Sequence, residues 1–239
     1  SWNWKAGGSG SANSDGNTAS TVSANTTAGF SIVKWSGTGS NTTVGHGLGA
    51  VPRFIMVKGL GSGKNWATYH AELGNTKGLH LNENHAASTE TAWWNSTSPT
   101  SSVFTVGTSG NVNASGTDYM AYVFAEKIGF TKVGTYTGNG SSSGVFVYTG
   151  FRPSFVLIKN PNGTNPPELR DDQRVDNFNP ANGRLWTNKS DVEATENMDF
   201  LSNGFKFRSS DATTNGSNSY VYFAVGQSLV GTNDIPCTA

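Results

Sequence analysis

Carboxylates crowd one stretch of the chain, among them Asp171, Asp172, Asp191, Glu193, Glu196 and Asp199. Two of them facing each other roughly 5–10 Å apart across a cleft could cleave a glycoside, one as acid and one as base or nucleophile. They stand among loop-like residues with no aromatic cleft around them, so the pattern favours no hydrolase. His70 and His80 lie near Glu72 and Glu83. Imidazole and carboxylate together can ligate a metal, but these spacings fit no ligand motif. Asn13-Ser14-Asp15-Gly16-Asn17 alternates oxygen donors like the start of a calcium loop. The acid that closes such a loop at its twelfth position is replaced by Ala24. Gly45-His46-Gly47-Leu48-Gly49 has the glycines of a phosphate-cradling loop, yet Pro52 and a strand follow where a helix should begin. No Gly-x-Ser-x-Gly elbow occurs, and Cys237 has no plausible His partner. The sequence therefore assigns no catalytic residue, no cofactor and no metal ligand.

The aromatic residues carry the stronger binding signal. Trp66, Tyr69, Trp93, Trp94 and Trp186 lie in or beside polar loops, and Trp2 and Trp4 point to one face if that segment is extended. Such side chains contact sugars or partner proteins well, but they are more often ordinary core residues of a small sandwich. The interface or glycan-contact candidates are Trp2, Trp4, Trp66, Tyr69, Trp93, Trp94 and Trp186. Sequons stand at Asn25, Asn41, Asn95, Asn113, Asn139, Asn162, Asn188 and Asn215. A chain this rich in Asn, Ser and Thr produces most of them by composition alone.

Composition excludes several classes. Only 13% of residues are charged, about half the usual share. Sixteen basic residues balance sixteen acidic ones, so the formal net charge is zero. A neutral chain does not search electrostatically for phosphate backbones, which argues against nucleic acid. No apolar run approaches the ~18 residues of a membrane span, and no signal peptide is evident. Gly, Ser, Thr and Asn mixed with β-branched and aromatic residues imply short strands joined by tight turns.

These elements occur twice. Trp35-Ser36-Gly37-Thr38-Gly39-Ser40 returns as Tyr136-Thr137-Gly138-Asn139-Gly140-Ser141. Pro52-Arg53-Phe54-Ile55-Met56-Val57-Lys58 returns as Pro153-Ser154-Phe155-Val156-Leu157-Ile158-Lys159. Tyr119-Met120-Ala121-Tyr122 returns as Tyr220-Val221-Tyr222-Phe223. One offset serves all three, 136 − 35 = 153 − 52 = 220 − 119 = 101. The expected fold is all-β, two tandem homologous β-sandwich, jelly-roll-like lobes behind an extended N-terminal arm. The arm covers residues 1–28, the repeats 29–128 and 129–228, and a tail 229–239. The arm, almost pure small polar residues after Trp4, is expected to be ordered only by contacts outside the lobes' cores. Four apolar residues in a row at Phe54–Val57 and at Phe155–Ile158 imply central strands buried on both faces. Residues 160–180, with four prolines, read as a long surface loop. A helical turn is expected around 191–197.

Longer motifs carry a resemblance. Ala28-Gly29-Phe30-Ser31-Ile32-Val33, the Trp35–Gly39 turn, Val44–Pro52, Tyr148–Pro153 and Asp199–Lys206 together resemble a domain of virion structural and tail-fibre-like proteins of aquatic tailed bacteriophages. Trp2–Ala6 and Asn13–Gly16 resemble the exit from a laminin-G or concanavalin-like module upstream. The likeness covers nearly the whole chain. It departs at 166–179, where that family usually has an aromatic strand beginning with Trp. The resemblance implies a non-enzymatic structural part of a virion appendage, extracellular and homo-oligomeric. Its implied partners are other virion proteins and host-surface glycans, with neither nucleic acid nor membrane insertion. A subunit of an extracellular filament or a capsid decoration protein fits the same composition. A glycan-binding or glycan-degrading module is a further alternative.

Overall fold

The computed structural model describes residues 3–61, 63–173 and 179–226. The expectations for Trp2, Cys237 and the tail 229–239 concern residues outside these. The fold is all-β, with one helical turn among the described residues. The chain divides into two compact units, Ser1–Glu126 and Lys127–Ala239.

The strands of the first unit are β1 (Ser11–Asn13), β2 (Ser20–Asn25), β3 (Phe30–Ser36), β4 (Thr42–Gly45), β5 (Pro52–Gly59), β6 (Ala67–His70), β7 (Lys77–His80), β8 (Ser88–Thr89), β9 (Val103–Val106) and β10 (Asp118–Ala125). The helical turn α1 (Thr91–Trp94) precedes β9. Eight strands form one sheet in the order β1-β2-β3-β10-β5-β6-β7-β8, and β4 pairs with β9 in a second sheet. Val33, Ile55, Val57, Ala121 and Val123 of the large sheet pack with Val44, Phe104 and Val106 of the small one. Period-2 alternation puts these side chains on one face of each strand. Phe54, on the opposite face of β5, is also buried, which makes β5 the central strand that its apolar run implied.

The arm is a correction to the sequence reading. Thr21 to Asn25 pair with Lys34 to Phe30, so β2 extends the main sheet, and β1 pairs with β2 in turn. Val22 enters the core at 5% exposure. Burying that one side chain contributes roughly 1.5–3 kcal/mol, the physical reason a polar segment with a single valine can be held.

The second unit contains β11 (Thr131–Thr137), β12 (Phe146–Tyr148), β13 (Pro153–Lys159), β14 (Glu168–Asp171), β15 (Ala181–Trp186), β16 (Ala194–Leu201), β17 (Gly204–Phe207) and β18 (Ser219–Gly226). They form one nearly closed, barrel-like sheet in the order β11-β18-β13-β14-β15-β16-β17-β12. Strand β15 makes the bend. Its Leu185 and Trp186 face β14, whereas Ala181, Gly183 and Arg184 face β16.

Two further expectations are overturned here. Residues 160–180 are not all loop, because β14 pairs with β13 and all four of its residues are buried. It starts 168 − 67 = 101 residues after β6, in register with the duplication. The prolines leave it alone because Pro167 stops one residue short of it. Residues 194–197 are strand, not helix. Met198 and Phe200 of β16 point into the core at strand spacing.

The duplication extends to single contacts. Trp35 stacks on Tyr119 at 5.5 Å and 18°, and Tyr136 stacks on Tyr220 at 5.0 Å and 13°. The Tyr119 hydroxyl donates to the Gly110 carbonyl at 2.8 Å, and that of Tyr220 to Ala212 at 2.7 Å. Gly37 and Gly138 open the repeated turns because a Cβ there would lie 2.2 Å from the Ala114 carbonyl oxygen, or 2.1 Å from that of Gly216.

The units differ where the arm enters. Val33 and Ala121 of the first become Gly134 and Tyr222 in the second, each 101 residues on. A Cβ on Gly134 would lie 2.8 Å from the Tyr222 hydroxyl. The large ring thus takes volume that a valine and the arm share in the first unit. Its hydroxyl reaches the Tyr148 carbonyl across the mouth at 3.5 Å.

Candidate functional site

The densest group of ionisable side chains lies inside the second unit, on β14, β15 and β16 and the loop before β18. Arg170 donates from Nε to Glu168 Oε1 at 2.5 Å, and its two terminal nitrogens donate to Glu196, one to the backbone carbonyl and one to the carboxylate. Arg184 Nη1 meets Glu196 Oε2 at 2.7 Å, Asp211 Oδ2 at 3.0 Å and Glu168 Oε2 at 3.3 Å. The Thr214 hydroxyl donates to Glu196 Oε1 at 3.1 Å. Glu168 and Arg170 are 0% exposed.

Burial raises the Glu168 carboxyl above its ordinary value, and the Arg170 charge partly offsets this. Burial also works against the Arg184 charge, but Glu168, Asp211 and Glu196 more than compensate and raise it. Burial pushes Asp211 upward, yet the Thr213 N–H and Arg184 hold it below its usual range. Both glutamates are held by guanidinium donors, and Glu168 is fully buried. In the first unit, 101 residues earlier, Ala67 and Tyr69 stand where Glu168 and Arg170 stand. Both belong to the apolar core there. The network is therefore a polar replacement for an apolar core layer, acceptable because each charge is paired.

The other candidate acids are likewise engaged. Asp172 pairs with Arg152 at 2.5 Å, Asp199 with Arg208 at 2.5 Å and Asp191 with Lys189 at 3.4 Å. Asp171 is buried, and its Oδ1 accepts from the Gln173 N–H at 3.1 Å. Glu193 is exposed.

The histidines are placed by local contacts. His46 is buried, with Nδ1 accepting from the Leu48 N–H at 3.2 Å and Nε2 lying 3.2 Å from the Thr100 carbonyl. That geometry fixes a neutral ring, and burial lowers its pKa accordingly. His80 packs edge-on against Trp93 at 4.9 Å. His70 accepts the Glu72 N–H. Among the described residues no group of three or more His, Cys, Asp or Glu could hold a metal ion. Asn13 Oδ1 accepts the Asp15 N–H and its Nδ2 donates to Asp15 Oδ2, which closes a local turn.

The structure sorts the aromatic candidates. Tyr69, Trp93 and Trp94 are buried in the first core, so they are corrected from contact residues to core residues. The turn α1 carries both tryptophans inward, and Trp94 Nε1 donates to the Lys77 carbonyl at 3.1 Å. Trp4 is half-buried against Phe30 and Phe124. Trp66 is half-buried and stacks on Tyr122. Trp186 is half-buried, with Arg184 at 4.5 Å and Lys189 at 5.1 Å from its ring centroid.

Sequence reasoning missed two groups. Asn113 and Asn215 are fully buried pins. Nδ2 of Asn113 donates to the Gly107 and Ser40 carbonyls at 2.9 and 2.7 Å, and Nδ2 of Asn215 to the Ser209 and Ser141 carbonyls at 2.7 and 2.9 Å. Neither sequon amide is free for a glycan in the folded chain. The signal available was their recurrence in both repeats, one residue out of register. The second group is Phe146 and Tyr148, adjacent outward positions of β12 at 44% and 65% exposure. Their alternation around the inward Val147 was legible as a strand.

With this geometry in view, the family is decided by one match. A model described as Domain of unknown function (DUF7483) covers residues 1–228. The chain belongs to this family. No curated protein and no solved structure matches it significantly. In this DUF7483 chain the buried carboxylates of the second unit are paired with guanidinium groups, and Phe146 and Tyr148 are exposed.

Proposed function

We propose that the chain is a non-catalytic structural and adhesive module, used in repeated copies in an extracellular assembly, with a virion appendage such as a tail fibre as the fitting context. The observation that carries this reading is the closure of the ionisable residues. The one dense carboxylate group in the described residues is locked by guanidinium partners within the core of the second unit. Exposed apolar side chains lie elsewhere, on β12 and in loops. Zero net charge suits a building block packed against copies of itself, since no field opposes their approach. Host-surface glycans are the ligand class for the exposed rings, met on the surface and not in a deep pocket. The sequence resemblance to virion proteins supports the same reading. The test is to measure the mass of the native protein by light scattering and to incubate it with host polysaccharide. The expected result is an oligomer that releases no reducing sugar. A stable monomer that depolymerises the polysaccharide overturns the reading.

A further inference from the structure

The two units treat one strand edge differently. In the first, Gly45 stands opposite Val103; in the second, Tyr148 stands opposite Gly204. Since 204 − 103 = 101, strand pairing makes Tyr148 the counterpart of Gly45 and Phe146 the counterpart of Thr43. The His46 N–H donates to the Ser102 carbonyl, and the Thr149 N–H to the Asn203 carbonyl, again 101 residues apart. Antiparallel alternation then points the backbone groups of Thr43 and Gly45, and of Phe146 and Tyr148, away from the ladder.

In the first unit both carbonyls, and the Thr43 hydroxyl beside them, are occupied. The Thr18 N–H donates to the Thr43 carbonyl at 3.0 Å, the Asn17 N–H to Thr43 Oγ1 at 2.9 Å and Ser20 Oγ to the Gly45 carbonyl at 3.0 Å. Gly45 leaves room there for the arm's Asn13, whose Oδ1 would lie 1.7 Å from a Cβ on Gly45 and would have to turn away. The arm thus lies along the β4 edge, bridged at Thr18 and Val44. In the second unit β12 ends the sheet. Where the arm runs in the first unit, β12 places two aromatic rings on its surface. Edge strands are normally guarded by charge, proline or a bulge. The sequence Phe146-Val147-Tyr148 has none of these and is guarded only by its shortness, three residues, while the opposing Lys206 is turned aside to the Gly144 carbonyl at 2.6 Å.

We propose that β12 is a self-pairing edge, joined antiparallel to β12 of a second copy of this chain about a two-fold axis at Val147. This names the contact within the assembly proposed above and rests on that reading. The register is self-complementary. Phe146 falls opposite Tyr148 of the second copy, and Tyr148 opposite its Phe146. The Tyr148 N–H of each copy then donates to the Phe146 carbonyl of the other, while each Tyr148 carbonyl keeps the Tyr222 hydroxyl of its own chain, and the exposed rings form cross-strand aromatic pairs. A two-fold contact of this kind uses one patch on both partners, which a neutral, symmetric Phe-Val-Tyr strand supplies. The strand is short, well below a standard interface of roughly 1,600 Å², so the isolated pair is weak and repetition in an assembly strengthens it.

Sedimentation of the 239-residue chain from about 10 μM to about 1 mM reads the association directly. The expected result is a reversible dimer. Phe146→Lys and Tyr148→Lys each weaken it at least about tenfold. Val192→Lys, at a site 87% exposed in the loop between β15 and β16, leaves it unchanged. Both ring positions are exposed, so circular dichroism and the thermal midpoint should stay as in the parent chain. A benzophenone side chain at position 146 should crosslink to the peptide carrying residue 148 of the other copy. A chain monomeric throughout, a dimer indifferent to both lysines, or a crosslink to another peptide overturns the edge. Oligomers that persist in both lysine variants leave the assembly reading standing and sink only this contact, whereas sugar release sinks only the non-catalytic reading.

Discussion

Single residues in this chain show how one chemical type serves opposite ends. Asn113 and Asn215 look like glycan acceptors in sequence, yet each spends its amide on carbonyls of the turn it braces. Lys159 is the sharper case. It sits buried at the end of β13, and its Nζ donates to the Gly163 and Asn165 carbonyls at 2.8 and 2.5 Å. Burial lowers its pKa to about 8. The unfolded chain holds that proton up to about 10.5. Between these values the unfolded state binds more protons, so stability rises with pH across the window. Below pH 8 both states are protonated, and the folded state carries the full cost of the buried charge. Urea unfolding at pH 7.5 and 9.5 should show the parent chain gaining stability relative to Lys159→Met. Equal pH dependence in the two proteins refutes the assignment.

At the scale of elements, the second unit exchanges an apolar layer for an ionic one. Arg170→Met leaves Glu168 and Glu196 short of their shared partner and should cost about 3–5 kcal/mol, measured by denaturant unfolding. The double variant Glu168→Ala, Arg170→Tyr carries the residues of the first unit and keeps Glu196 on Arg184 and Thr214. It should recover most of that loss, because a buried pair replaced by packed apolar groups is often neutral or stabilising. A double variant as unstable as Arg170→Met contradicts the exchange. The same layer marks where sequence stopped being readable. Strands β5 and β13 announce themselves by four apolar residues in a row, and β10 and β18 by the 101-residue echo. Strand β14 has the same place as β6, but Glu-Leu-Arg-Asp looks like surface until Arg184 and Glu196, distant in sequence, are brought beside it. Strand β2 hides for the opposite reason. One valine among Ser, Thr, Ala and Asn carries its burial, too little for a periodic signal. Trp93 and Trp94 sit in polar company along the chain, and only the turn α1 rotates them inward. The exposed pair on β12 is hard to read because three residues are too few for a periodic signal.

For the whole molecule, the decisive quantity is the absence of net charge: sixteen acidic and sixteen basic residues cancel. A protein that worked by capturing polyanions would lose affinity by orders of magnitude between 50 and 200 mM salt, through counterion release. A strand edge made of Phe146, Val147 and Tyr148 has no charge to screen. At 0.1 M salt the Debye length is about 10 Å, so charges farther off on the surface are already attenuated. The nearest cation opposite the edge, Lys206, is committed to the Gly144 carbonyl. Self-association should therefore change less than about threefold between 50 and 500 mM sodium chloride. Sulfate should strengthen it, because excluded salts favour burial of apolar surface. Sedimentation at fixed protein concentration across both salts makes the measurement. A tenfold fall in association with sodium chloride would show that charge holds the copies together, and an ionic interface would have to replace the aromatic edge.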